Sequence, residues 1–96
     1  MTFEVVLTTA AREEFEALAI LNDSKFRKVQ KTLGLLESNP RHAGLRSHKY
    51  ESLSGPGREE IWESYVENNT PAAFRVFWFY GPDQGKITVI RISQHP

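Results

Sequence analysis

There is no cysteine anywhere in the 96 residues, so no disulfide and no thiolate metal site can hold this chain together. A domain of this size must then rely on packing alone. Long hydrophobic runs are missing too. Nothing approaches the roughly 20 residues that a membrane-spanning helix needs, and Met1-Thr2-Phe3-Glu4 has neither the basic nor the apolar region of a secretion signal. A soluble, cytoplasmic protein is expected. No Gly-rich phosphate loop precedes a helix, no histidines stand at metal-binding spacing, and no nucleophile motif appears, which sets those three classes aside. No cofactor and no metal are implied.

Net charge is also absent, with 12 Lys and Arg against 12 Asp and Glu. Taken whole, that argues against a nucleic-acid partner. The zero is a cancellation of blocks. Residues 25–49 carry seven cations against Glu37 alone, whereas residues 1–24 set Arg12 against Glu4, Glu13, Glu14, Glu16 and Asp23. Such a molecule is dipolar, and its basic block is where a polyanion would be met. Lys25, Arg27, Lys28 and Lys31 read more simply as the solvated face of a helix.

What is abundant is aromatic. Six Phe, three Tyr and two Trp supply bulky anchors for a single core, and the length leaves room for one domain, residues 1–96. Phe3–Thr8 is β-branched and apolar and predicts a first strand. Thr9 is a candidate N-cap, with Ala11, Phe15 and Leu18 on one face of a helix to about Leu21. Asn22-Asp23-Ser24 turns the chain, and Phe26, Val29, Leu33 and Leu36 predict a second helix to Asn39-Pro40. Pro40, Gly44, Gly55, Pro56 and Gly57 mark an irregular stretch, with a short extended piece expected near residues 45–50. Glu60–Val66, Ala73–Tyr80 and Lys86–Ser93 predict three strands joined as hairpins. The order β-α-α-β-β-β implies an α+β fold in which two N-terminal helices pack on a mainly antiparallel, four-stranded sheet.

Alternation along residues 74–80 places Phe74, Val76, Trp78 and Tyr80 on one face and Arg75, Phe77 and Phe79 on the other. A strand apolar on both faces is central. Arg75 is then a cation against an aromatic surface, either paired with Glu63 of the neighbouring strand or reserved for an anion. The aromatic side chains read as core rather than as platforms for bases. His42 and His48 stand in or beside the basic loop 41–49; a histidine among cations tends to stay neutral, as a general base must. For His42 a solvated loop position is the simpler reading. His95 follows the last strand.

Four passages, in order, resemble the RelE/ParE superfamily of bacterial toxins. They are Leu45-Arg46-Ser47-His48-Lys49 with Leu53-Ser54-Gly55, then Trp62-Glu63, then Phe74-Arg75-Val76, and finally Ile92-Ser93-Gln94-His95. The resemblance implies a toxin neutralised by a small cognate antitoxin and, in the RelE-like branches, an endoribonuclease that cleaves mRNA on the ribosome. That reaction is a metal-independent transphosphorylation in which a ribose 2′-OH attacks the adjacent phosphate. By the same resemblance Arg75 holds the phosphate, His95 is the acid and His48 the base, with Arg46 and Lys49 binding RNA by charge. Family nucleases continue past the histidine to a Tyr or Phe, whereas Pro96 follows here. The alternative expectation is therefore a non-catalytic ParE-like inhibitor of DNA gyrase, or a fold homologue that only binds partners. Oligomeric state is not legible.

Overall fold

A computed structural model describes residues 2–68, 70 and 72–94. The first strand, β1 (Glu4–Leu7), leads into α1 (Thr9–Leu21) and α2 (Asp23–Ser38). A 3₁₀ turn at Ala43–Leu45 precedes β2 (His48–Ser54), β3 (Glu60–Tyr65), β4 (Phe74–Tyr80) and β5 (Lys86–Gln94). The helix boundaries follow from their caps. Thr8, one residue before the expected cap, accepts the Ala11 N–H at 3.2 Å on its hydroxyl. Asn22 closes α1 through its own N–H to the Leu18 carbonyl and opens α2 by accepting the Lys25 N–H on its side chain. One residue thus makes the whole helical hairpin turn, locked by Phe15 and Phe26 stacked at 4.6 Å.

The sheet has five strands in the order β1-β5-β4-β3-β2, one more than the four expected. The addition is β2, the extended piece near residues 45–50, which runs on to Ser54 and pairs antiparallel with β3. It is an almost wholly exposed edge, so it carries no apolar alternation to betray it. Only β1 runs parallel to its neighbour, with Val5 opposite Ile87 and Leu7 opposite Val89 on β5. Where β1 ends, β5 continues with an open edge. There the Glu14 carboxylate of α1 accepts the Ile92 N–H at 2.8 Å, so a side chain completes what the missing strand would have paired.

Both helices lie on one face of the sheet. Ala11, Leu18, Val29 and Leu36 bury against Val76, Trp78, Ile87, Val89 and Ile92. On the opposite face Ile61, Phe77 and Phe79 form a second, smaller cluster with Tyr50 and Ile90. The central strand β4 is therefore apolar on both sides, as its sequence predicts.

The charged face of α2 is solvated at Arg27, Lys28 and Lys31, as expected, but Lys25 is half-buried, which corrects the expectation for that lysine. Lys25 and Lys28 both bind the Glu67 carboxylate just past β3, Lys28 at 3.1 Å, and Glu67 also accepts the Phe74 N–H. Burial works to raise the Glu67 carboxyl, but these bonds outweigh it and hold the group below the ordinary 4.5. Because the folded value is depressed, the stabilisation is complete above the unfolded-state value and is lost as pH falls through the folded one. Glu67→Gln is expected to cost about 2 kcal/mol in urea unfolding at pH 7. The gap between variant and parent should close as the pH is taken below 4.5, and a gap independent of pH would contradict the ion pairing.

Candidate functional site

The face of the sheet away from the helices carries the polar cluster. The register sets Tyr65 beside Arg75 and Glu63 beside Phe77 across β3 and β4, and His48 of β2 beside Glu63. All four polar residues therefore share one parity and point to the same side. Tyr65 is the centre. The Arg75 Cζ lies 3.7 Å from its ring centroid, the Arg46 Cζ 5.6 Å, and the His48 ring meets it edge-on at 5.9 Å. Arg46 reaches this position because the chain turns through a left-handed residue there, at φ 49°, to pass from the 3₁₀ turn into β2.

Arg75 is fixed rather than merely placed. Its Nη1 donates to the Glu67 and Phe74 carbonyls at 2.9 and 3.1 Å, which commits both hydrogens of that nitrogen. The remaining donors are Nε, 3.9 Å from Glu63 Oε2, and Nη2. With its side chain 13% exposed, the guanidinium is largely dehydrated, and an anion arriving at it would feel a field that water barely screens.

Glu63 is 1% exposed and joins His48 to Arg75. Its Oε1 stands 2.8 Å from His48 Nε2, while His48 Nδ1 stands 3.0 Å from the Arg46 carbonyl. A carbonyl only accepts, so Nδ1 carries a hydrogen. Nε2 and Oε1 therefore share one proton, as imidazolium against carboxylate or imidazole against carboxylic acid. In this arrangement both ring nitrogens are occupied. Beside the cluster, a cavity of about 570 Å³ is lined by Leu53, Phe77, Arg91 and Ser93 on the strands and by Glu14 on α1. Ser93 is the β5 partner of Arg75, so the cavity adjoins it.

Of the residues singled out from sequence, Arg46, His48 and Arg75 come together. Lys49 does not. Next to His48 on β2, it faces the other side of the sheet, 5.9 Å over the Trp62 ring and 3.1 Å from Glu60. His95 lies outside the described residues. Tyr65 and the full part played by Glu63 escaped the sequence reading, although Glu63 had been matched to Arg75. The signal available was parity: in a hairpin with Arg75 on the central strand, Glu63 and Tyr65 are the polar residues of the adjoining strand on its face.

The sequence matches no protein-family model and no curated protein. Solved structures are similar over the whole fold. A YoeB/ParE toxin from Agrobacterium tumefaciens superposes with a TM-score of 0.74 at 14% identity, covering 98% of this chain and 100% of that one. The archaeal RelE-RelB complex from Pyrococcus horikoshii OT3 contains a chain similar at TM-score 0.68 and 17% identity, with 98% and 96% covered. The YoeB dimer from Staphylococcus aureus gives 0.67 at 11% identity, with both chains covered completely. The chain thus has the RelE/ParE-type fold.

Proposed function

We propose that this protein is a RelE-like toxin of a toxin-antitoxin pair, which cleaves mRNA on the ribosome by transphosphorylation. The observation that carries the reading is the convergence of Arg46, His48 and Arg75 around Tyr65, on a sheet face that the helices leave open. Attack of a 2′-OH on the neighbouring phosphate builds charge on the non-bridging oxygens and requires one proton to leave the nucleophile and another to reach the departing 5′-oxygen. Arg75 is the cation for the first need, held by backbone carbonyls so that little reorganisation accompanies the reaction. His48 is assigned the role of base, its Nε2 taking the 2′-OH proton in place of the 2.8 Å contact to Glu63. His95 is assigned as the acid that protonates the departing 5′-oxygen, and the Tyr65 ring is the aromatic surface at the site. Arg46, standing over Tyr65 at the site, meets RNA by charge. A small antitoxin is the proposed partner, supported by likeness to a chain of a RelE-RelB complex.

Purified protein added to programmed ribosomes is expected to cut mRNA at the A site, leaving 2′,3′-cyclic phosphate ends. His95→Gln should slow the cut by about 100-fold or more, the ordinary loss for one general acid or base. Intact message would sink the reading. Inhibition of gyrase supercoiling with message left intact would transfer the chain to the ParE-like alternative.

A further inference from the structure

A second feature, on the opposite side of the sheet, is not used by the chemistry above. Both tryptophans of the chain, Trp62 and Trp78, lie there stacked at 5.9 Å with 19° between their planes, and Tyr80 meets each of them edge-on. With Arg41, His42 and Arg46 these rings line a cleft of about 330 Å³, and no residue of α1 or α2 contributes to it. Trp78 is core, as expected, but Trp62 is only half-buried and Tyr80 is 41% exposed. Of the aromatics along residues 74–80 expected in the core, Tyr80 is the one that is exposed.

The cleft is built rather than incidental. The Trp78 indole N–H donates to Ser64 Oγ at 2.7 Å, and Ser64 and Ser47 hydroxyls meet at 2.6 Å. Ser47 in turn donates to the Pro40 carbonyl at 3.2 Å. This relay ties the loop at 40–47 to the aromatic floor. On the loop, the His42 Nδ1 accepts the Gly44 N–H at 2.9 Å, which leaves Nε2 as the nitrogen able to carry the ring hydrogen of neutral His42. The charge is of one sign: residues 41–49 hold Arg41, Arg46 and Lys49 and no carboxylate, although Glu60 on β3 pairs with Lys49 at the rim.

We propose that this cleft is a second RNA subsite, which stacks an unpaired base on Trp62 and Tyr80 and holds the adjoining phosphate on Arg41 and Arg46. The inference rests on the reading of the protein as an RNA-cleaving toxin, and names where RNA is held away from the reacting bond. Aromatic rings rimmed by cations are the chemistry of single-strand binding, because every base offers a π-face and every link a negative charge. The volume suits one nucleotide, lying at the small end of ligand sites. Arg46 belongs to both sites, lining this cleft and standing over Tyr65, so a single strand can engage the two together.

Because both tryptophans line the cleft, intrinsic fluorescence reads its occupancy. A single-stranded RNA hexamer with 2′-O-methyl riboses, which cannot be cleaved by 2′-OH attack, is expected to quench the emission saturably. Arg41→Glu should weaken this binding about tenfold or more, with the circular dichroism and melting curve unchanged, and Trp62→Leu should remove most of the quench. No quench by the hexamer, equal quench by duplex RNA, or undiminished affinity in the charge-reversed variant would each overturn the proposal. Quenching by an acidic peptide and not by RNA would overturn it in favour of a protein partner. The two readings fail separately: message cleaved normally with no quench removes only the subsite, and quench retained with message intact removes only the nuclease.

Discussion

Arg75→Ala is expected to lower the single-turnover rate of mRNA cleavage by about 10²–10³-fold, the cost of removing one preorganised donor to a developing anion. The size of the effect follows from how the guanidinium is held. Two backbone carbonyls take the hydrogens of Nη1, and the Tyr65 ring lies against the plane at 3.7 Å, so the cation is already in place before substrate arrives. A phosphate reaches it without first ordering a long side chain. Arg75→Lys should recover little of the loss, since an ammonium keeps the charge but cannot make the same two carbonyl bonds while lying flat on Tyr65. The rate constant should fall more than the affinity for ribosomes. Cleavage by Arg75→Ala within threefold of the parent would place the phosphate elsewhere.

The second large effect is on stability. Glu63→Ala is expected to cost about 3–5 kcal/mol, because it removes the buried carboxylate that both His48 and Arg75 face. In urea unfolding this appears as a fall in midpoint with little change in slope. Glu63→Gln keeps the volume and an acceptor for His48 Nε2, and should cost less, about 1–2 kcal/mol. A double-mutant cycle with His48→Ala separates the pairing from the cavity: residues in contact at 2.8 Å should show a coupling of about 1 kcal/mol or more. A cost below about 1 kcal/mol for Glu63→Ala would mean that Arg75 and His48 are held without it.

Most of the architecture was legible because most elements announce themselves by period or by punctuation. Leu18, Val29 and Leu36 mark helix faces that do bury, Asn22 and Asn39 stand at the helix ends, and the two-faced apolar run at 74–80 identifies the central strand. Edge strand β2 was half missed, since His48-Lys49-Tyr50-Glu51-Ser52 has no buried face to set a pattern. The parallel pairing of β1 with β5 was not foreseen, because a short apolar strand carries no mark of its partner. Of the site, the residues with unusual chemistry for their place were visible, Arg75 above all. Tyr65 was not, because an aromatic on a strand looks like core until the register shows which neighbours it meets. Lys49 misled for the converse reason: adjacency in sequence to His48 suggests a shared site, and strand geometry puts consecutive residues on opposite faces.

That same geometry makes β2 a sorting device. His48 and Lys49 are neighbours in the chain, yet one is delivered to the Glu63 carboxylate and the other to the Trp62 ring. Slipping this strand by a single position along β3 would exchange them, bringing an ammonium to the buried acid and an imidazole to the aromatic cleft. The hydroxyl contact between Ser47 and Ser64, together with the bond from His48 to Glu63, fastens the strand at its first residues. The regular ladder breaks further on, between Lys49 and Ser54. Two hydrogen bonds at the start of one exposed strand thus decide which chemistry each side of the molecule presents.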